Sequence, residues 1–413
     1  MKRFVMIVGA GASVPYFEPI LTTDSLTAAL VDAAKWSDLL NRYDSHAQGA
    51  NSIQPAAVNG LLGRMRQALP DGNFEDYIEI IDRIASYGLD ATSAKIQSAT
   101  IRLLNGCLPI CPMHTWTAVP FLARQLLFEH ISLKHSSETS SGYPSLVRSL
   151  SSLLGYLAAQ GPLSVACFNY DDVLPEAVQS ATVPLSDGFE GGPFDPGKYL
   201  AAPHVVAYMH GQARFVAGQK STCMCASIDE ANRERFQRLY SHTGDEAAYV
   251  REAATSYTFN TSMVTGRDKD SAFDANPYSA YYQRLASDLR TADRVIVIGF
   301  SFGDRHIVRL LMNFLRLNPA NRLLVVDYHP SPVEMMASFT NTGSLLHRAL
   351  SAFDIDSLPL HGNFAQHTYA NQSGIDDLNR TGCAEIYPRL VFYKEGFASF
   401  LGEYAAALSL LGI

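Results

Sequence analysis

Residues Phe4-Val5-Met6-Ile7-Val8-Gly9-Ala10-Gly11-Ala12-Ser13 decide how the rest of the chain is read. The apolar run, rich in β-branched side chains, predicts a buried strand. Gly9 and Gly11 let the backbone turn sharply and approach a ligand with no Cβ in the way, and a helix is expected soon after. A strand, a glycine turn and a helix in that order offer N–H groups and the positive end of a helix dipole to a phosphate. The competing reading is a tight βα turn that binds nothing. A dehydrogenase fingerprint would carry a third glycine and an acidic residue at the end of a second strand. Here Val14 stands at the third position, and Pro15 to Asp24 shows no strand. Hydride transfer is therefore disfavoured.

Working outward, the strand pattern returns at Pro162 to Phe168, Val205 to Met209, Arg294 to Ile298 and Leu323 to Val326. These runs end in Asn169-Tyr170-Asp171-Asp172, His210-Gly211, Gly299-Phe300-Ser301-Phe302-Gly303-Asp304 and Asp327. Polar and glycine residues at the carboxyl ends of apolar strands are how a parallel sheet lines its ligand crevice. Alternating β and α elements give an α/β class. Between the first and second strands the apolar spacing is helical: Leu26, Leu30 and Ala33 share one face. Phe74, Tyr77, Ile78 and Ile81 share another, with Glu75, Asp76, Glu79 and Asp82 opposite. Lys134 to Gly142 reads as an exposed loop, Ile228 to Tyr249 as a charged helical insertion, and the tail as loop followed by a helix from Gly396 to Leu411. The expected organisation is a discontinuous nucleotide-binding domain, 1–30 and 150–335, a helical insertion domain, 31–149, and a C-terminal extension, 336–413.

The 413 residues are 47% hydrophobic and 17% charged, enough for a substantial core. A net charge of −8 argues against a broad basic surface, so any nucleic-acid contact is expected to be indirect. No run is long and apolar enough for a membrane helix, and no signal-peptide cleavage pattern follows Lys2 and Arg3. Cys107, Cys111, Cys167, Cys223, Cys225 and Cys383 form no dense disulfide framework and no paired zinc spacing. They read as reduced thiols of a cytoplasmic protein with no metal expected, and a zinc site on Cys107 and Cys111 with His114, or on Cys223 with Cys225, is the outside alternative.

Each chemical candidate has a structural competitor. Asn169 can orient a ribose hydroxyl or a water, and Asp171 can hold ribose hydroxyls, but both also suit an Asx turn capping the next helix. His210 can act as a general base near neutral pH, or sit hydrogen-bonded in a turn. Leu360-His361-Gly362 repeats its dipeptide in loop-like surroundings. Ser301 and Asp304 can meet phosphate or ribose, or Asp304 can cap a helix. Gly299-Phe-Ser-Phe-Gly303 is also similar to a nucleophile elbow, which would make Ser301 a hydrolase nucleophile with Asp327 and His361 as partners.

Taken in order, Val8-Gly-Ala-Gly-Ala-Ser13, Phe168-Asn-Tyr-Asp171, Met209-His-Gly211 and Ile298-Gly-Phe-Ser-Phe-Gly-Asp304 resemble the sirtuin-like family, in particular its bacterial antiviral NAD-consuming branch. Leu21-Thr-Thr-Asp24, Asn73-Phe-Glu-Asp76 and Thr265-Gly-Arg267 are lesser matches. The resemblance covers most of residues 1 to about 335. It implies a Rossmann-like, mostly parallel sheet with helices on both faces and a smaller helical domain over the cleft. It also implies that NAD is the substrate. Gly9, Ala10, Gly11, Ala12 and Ser13 would wrap the pyrophosphate, with Thr23 and Asp24 beside the cofactor. Asn169 and His210 would be the catalytic pair, Asp171 would hold the nicotinamide ribose, and Gly299, Ser301 and Asp304 would lie near the adenosine.

Deacetylating sirtuins carry four zinc cysteines in two close pairs. The departure of this chain from that pattern favours NAD cleavage over deacylation. The expectation is an NAD glycohydrolase that depletes NAD during phage infection. It would be controlled by homo-oligomer assembly or by a HerA-type ATPase partner. The alternatives are a non-catalytic NAD- or ADP-ribose-binding regulatory subunit, an NAD-dependent deacylase and a serine hydrolase.

Overall fold

The apolar runs become the strands of one sheet. A computed structural model describes residues 2–12, 23–46, 55–89, 119–137, 142–217, 223–227, 230–231, 276–300, 302, 304–328, 372–387 and 389–413. Phe4–Val8 (β1), with every residue buried, lies inside the sheet. Leu163–Cys167 (β2) and His204–Tyr208 (β3) lie on one side of it, both parallel. The other side carries Arg294–Ile298 (β6) and Arg322–Val326 (β7), also parallel. These bounds lie within one or two residues of the runs read from the sequence. Two further strands complete the sheet where the sequence reading placed only loop. Leu390–Tyr393 (β9) pairs parallel with β7, and Cys383–Tyr387 (β8) pairs antiparallel with β9 at the edge. The order is β3-β2-β1-β6-β7-β9-β8. Phe215–Ala217 (β4) and Cys223–Cys225 (β5) form a separate antiparallel pair.

The chain winds to one side from β1 to β3 and to the other from β6 onward. Right-handed crossovers then put the connecting helices on opposite faces. The helix Tyr143–Gln160, which leads into β2, packs on the helix Val173–Gln179 that leaves it. The terminal helix Gly396–Leu410, expected from the sequence, packs on the first of these and on β7 to β9. On the other side, Tyr278–Thr291 packs on Arg305–Leu317 and on β1 to β3. The fold is α/β, a mostly parallel Rossmann-like sheet with helices around it.

Thr23–Leu30, Ala33–His46, Pro55–Ala68, Phe74–Leu89 and Val119–Ser137 pack largely on one another. Phe74, Tyr77, Ile78 and Ile81 are buried, as their spacing predicts. The helix Phe74–Leu89 starts with a reciprocal cap. Asn73 Oδ1 accepts from Glu75 and Asp76 N–H at 2.9 and 3.1 Å, and Asp76 Oδ2 accepts from Asn73 N–H at 3.1 Å. The helix Val119–Ser137 runs through Lys134 to Ser137, which the sequence reading assigned to a loop. The expected helix from Ile228 to Tyr249 lies almost wholly outside the described residues. No described helix is long and apolar enough to cross a membrane.

Candidate functional site

The carboxyl ends of the strands lie level. Beyond the strands the ladder continues by one bond at each junction. Phe168 N–H donates to Val8 O, Met209 N–H to Cys167 O and Gly9 N–H to Ile298 O, each at 2.8 Å. Asn169 and His210 therefore stand at the ends of neighbouring strands, 5% and 9% exposed. The residues on either side of Asn169 both meet the imidazole. Phe168 lies edge-on at 5.0 Å between centroids, and Tyr170 is tilted at 6.2 Å. Phe74, from the helical layer, meets Tyr170 edge-on at 6.3 Å. Gly211, at φ +89°, makes the turn that follows His210.

Asp304 reaches the same place from further off. Three strand spacings of ~4.8 Å separate β3 from β6, about 14 Å in all. Yet Asp304 Oδ2 lies 3.7 Å from His210 Nε2, with both side chains largely buried. The turn after β6 leans across the ends of β1 and β2, and Phe300 packs on Phe168 at 5.0 Å along the way. The other carboxylate oxygen caps the next helix, accepting from His306 and Ile307 N–H at 3.0 and 3.4 Å. Asp304 is thus both a cap and a neighbour of His210.

Asp171 Oδ1 accepts from Val173 N–H at 3.0 Å, the Asx-type contact weighed against a ribose role. Burial pushes the Tyr170 hydroxyl well above its ordinary range, so it stays protonated. Burial likewise pushes the Cys167 thiol up, with Asp171 adding to the effect, which makes it a poor nucleophile.

The opening turn has a packing reason for its glycines. A Cβ on Gly9 would sit 2.5 Å from Gly299 O, and one on Gly11 would sit 2.9 Å from Gly299 Cα. Gly299, at φ +57°, would place a Cβ 2.3 Å from Ala12 N. Gly11 N–H donates to Gly299 O, and Ala12 N–H donates to Gly9 O, both at 3.0 Å. Three of the amides expected to face a pyrophosphate are therefore engaged within the protein. Ala10 and Gly11 remain exposed at the sheet end. The contact falls between β1 and β6, where the strand order reverses and ligands of such sheets bind.

Ser13 and Ser301 lie outside the described residues, as do the side chain of Thr23, the Thr265-Gly-Arg267 loop and His361. Asp24 is exposed in the first turn of Thr23–Leu30, where a carboxylate also suits the helix dipole. Among the described residues no group of three or more His, Cys, Asp or Glu could hold a metal ion, and Cys107, Cys111 and His114 fall outside them.

One pair was missed by the sequence reading. Asp172, 2% exposed, accepts from Arg214 Nε at 2.9 Å and, more weakly, from Gln212 Nε2 at 3.5 Å. Burial alone would lower the Arg214 guanidinium, but its neighbours together, Asp172 foremost among them, hold the group above its ordinary value. The available signal was a second acidic residue directly after a buried strand, because a carboxylate buried there needs a charged partner.

None of the curated proteins matches the chain. A family model does match, over less than half of the 413 residues. It takes in the ends of β2, β3 and β6 with Asn169, His210 and Asp304, and it leaves out β1, the helical layer, β8 and β9. Residues 164–342 match the SIR2-like domain, a family of NAD-dependent enzymes, and in this part the chain is similar to sirtuin-like proteins.

Proposed function

We propose that the chain cleaves the nicotinamide–ribose bond of NAD, giving nicotinamide and ADP-ribose. The observation that carries this reading is a histidine at a strand end with a carboxylate 3.7 Å from its Nε2 and aromatic rings on its sides. His210 accepts a proton from a ribose hydroxyl or from the attacking water, help worth about 10²–10⁴-fold. Asp304 stabilises the imidazolium that results. Asn169, at the next strand end, orients that water or the ribose. Asp171, its direction fixed by Val173 N–H, lies toward the nicotinamide ribose and favours the positive charge that develops there. The glycine turn admits the pyrophosphate by leaving the sheet end free of large side chains.

The residues fit a dinucleotide in two ways. Polar side chains gather at the ends of β2 and β3, and small residues gather at β1, as the two halves of NAD require. The ordered motifs support a place for the enzyme in NAD depletion during phage infection. Silence in healthy cells would come from homo-oligomer assembly or from a HerA-type ATPase partner.

The test is to incubate the purified protein with NAD and separate the products by chromatography, alone and beside the product of a neighbouring gene. Release of nicotinamide without acyl-lysine peptide is expected. Binding without release would favour a regulatory subunit, and release only with acyl-lysine peptide a deacylase. Ester hydrolysis that needs Ser301 and no NAD would favour a serine hydrolase.

A further inference from the structure

We infer that Asp172 and Arg214 form a clasp that positions His210 against the Asn169 strand end, an inference that rests on His210 acting as the base. Asp172 stands three residues beyond Asn169, and Arg214 four beyond His210. Their ion pair joins the two loops that begin at the candidate catalytic residues. The β2–β3 ladder ends with Met209 N–H on Cys167 O, and the clasp lies beyond it.

The segment between His210 and Arg214 is stiff enough to transmit the hold. Gly211 N–H donates to Tyr208 O at 3.1 Å, and Phe215 N–H donates to Gln212 O at 3.0 Å, giving two tight turns in succession. Arg214 is also anchored through its backbone, because its carbonyl accepts from Ala226 N–H at 2.9 Å, just past β5. A movement of the guanidinium is thus passed toward His210 and is not absorbed between them.

Stability alone explains the pair poorly. Taking two charges out of water offsets most of their attraction, and an apolar pair of similar size often serves a fold as well or better. What an ion pair adds is direction. Among the described residues Arg214 meets the carboxylate of Asp172, and meeting it fixes the register of the two loops.

The test compares Asp172→Asn, the apolar double variant Asp172→Leu with Arg214→Met, and Arg214→Lys. The double variant strands no charge, so it is expected to fold. ADP-ribose affinity and KM for NAD should stay near wild type in it, while kcat falls about 100-fold, the size of effect a ~1 Å misplacement produces. Asp172→Asn should fall similarly, and Arg214→Lys, which keeps the charge but not the guanidinium fork, should fall less. The second readout is independent of turnover. The His210 Cε1–H signal in a ¹³C-histidine spectrum is shifted by the Phe168 ring and should move in the double variant. A double variant with wild-type kcat or an unmoved His210 signal overturns the clasp. Wild-type protein that releases no nicotinamide overturns the proposed reaction instead, and the spectrum still decides the clasp.

Discussion

The ends of β2 and β3 and the ends of β1 and β6 lie side by side on one sheet but are built from different materials. At β2 and β3 the polar work falls to side chains: Asn169, Asp171, Asp172 and His210, all nearly buried. At β1 and β6 it falls to the backbone, where Gly9, Gly11 and Gly299 fit so closely that no Cβ has room. Disturbing the first region should change chemistry and spare the fold. Disturbing the second should do the reverse. Gly299→Ala is the most severe test of this contrast. Its φ of +57° strains any L side chain, and the new Cβ would meet Ala12 N at 2.3 Å. A loss above ~4 kcal/mol is expected. Urea unfolding followed by circular dichroism would measure it, and a variant with an unchanged midpoint would break the comparison.

His210→Ala probes the opposite side. The variant should keep its thermal midpoint within a few degrees and still bind ADP-ribose, while nicotinamide release falls about 10²–10⁴-fold. Calorimetric binding together with product chromatography separates these effects. Wild-type turnover would remove His210 from the mechanism. Loss of folding would show that this strand end is as structural as the glycine turn.

The same contrast explains what could be read in the sequence. The central strands were legible because Phe4–Val8 and, after Arg294, the residues to Ile298 are continuous apolar runs closed by glycine. β8 and β9 were not. Cys383–Tyr387 is an edge strand carrying the exposed Glu385, and Leu390–Tyr393, an apolar run as long as the one read at Leu323 to Val326, ends in the charged Lys394-Glu395 and lies in a tail that reads as loop. At the site, the residue types at each strand end were legible, because polar groups after a buried strand need a reason. Their meetings were not. Asp304 comes from three strands away, and nothing local in Phe300-Ser301-Phe302 says that this turn leans across the sheet toward His210. The glycines were read for what they admit, whereas Gly9 and Gly11 also answer to Gly299, nearly 290 residues away in the chain.

Asp304 belongs to both materials, since one oxygen caps a helix and the other faces His210. Asp304→Asn separates the two roles. Asparagine caps a helix about as well as aspartate, so the unfolding midpoint should hold. The carboxylate beside the imidazole is lost, and kcat should fall about tenfold, equivalent to ~1.4 kcal/mol of barrier. Parallel losses of stability and turnover would mean that the cap is the whole of its role.

Asn73→Ala sharpens the comparison from a third side, because Asn73 belongs to neither strand end and yet sets the start of the helix whose first residue meets Tyr170. The variant removes the acceptor for Glu75 and Asp76 N–H, and a loss of ~1 kcal/mol is expected. Phe74 has a second tether, since its N–H donates to Thr27 Oγ1 at 2.9 Å. That bond should keep the ring against Tyr170 while the rest of the cap frays. Turnover should then stay within about twofold of wild type, equivalent to ~0.4 kcal/mol, although the unfolding midpoint drops. If turnover falls with stability, the helical layer is setting the geometry around His210, and the division between a chemical and a structural end of the sheet does not extend to the layer above it.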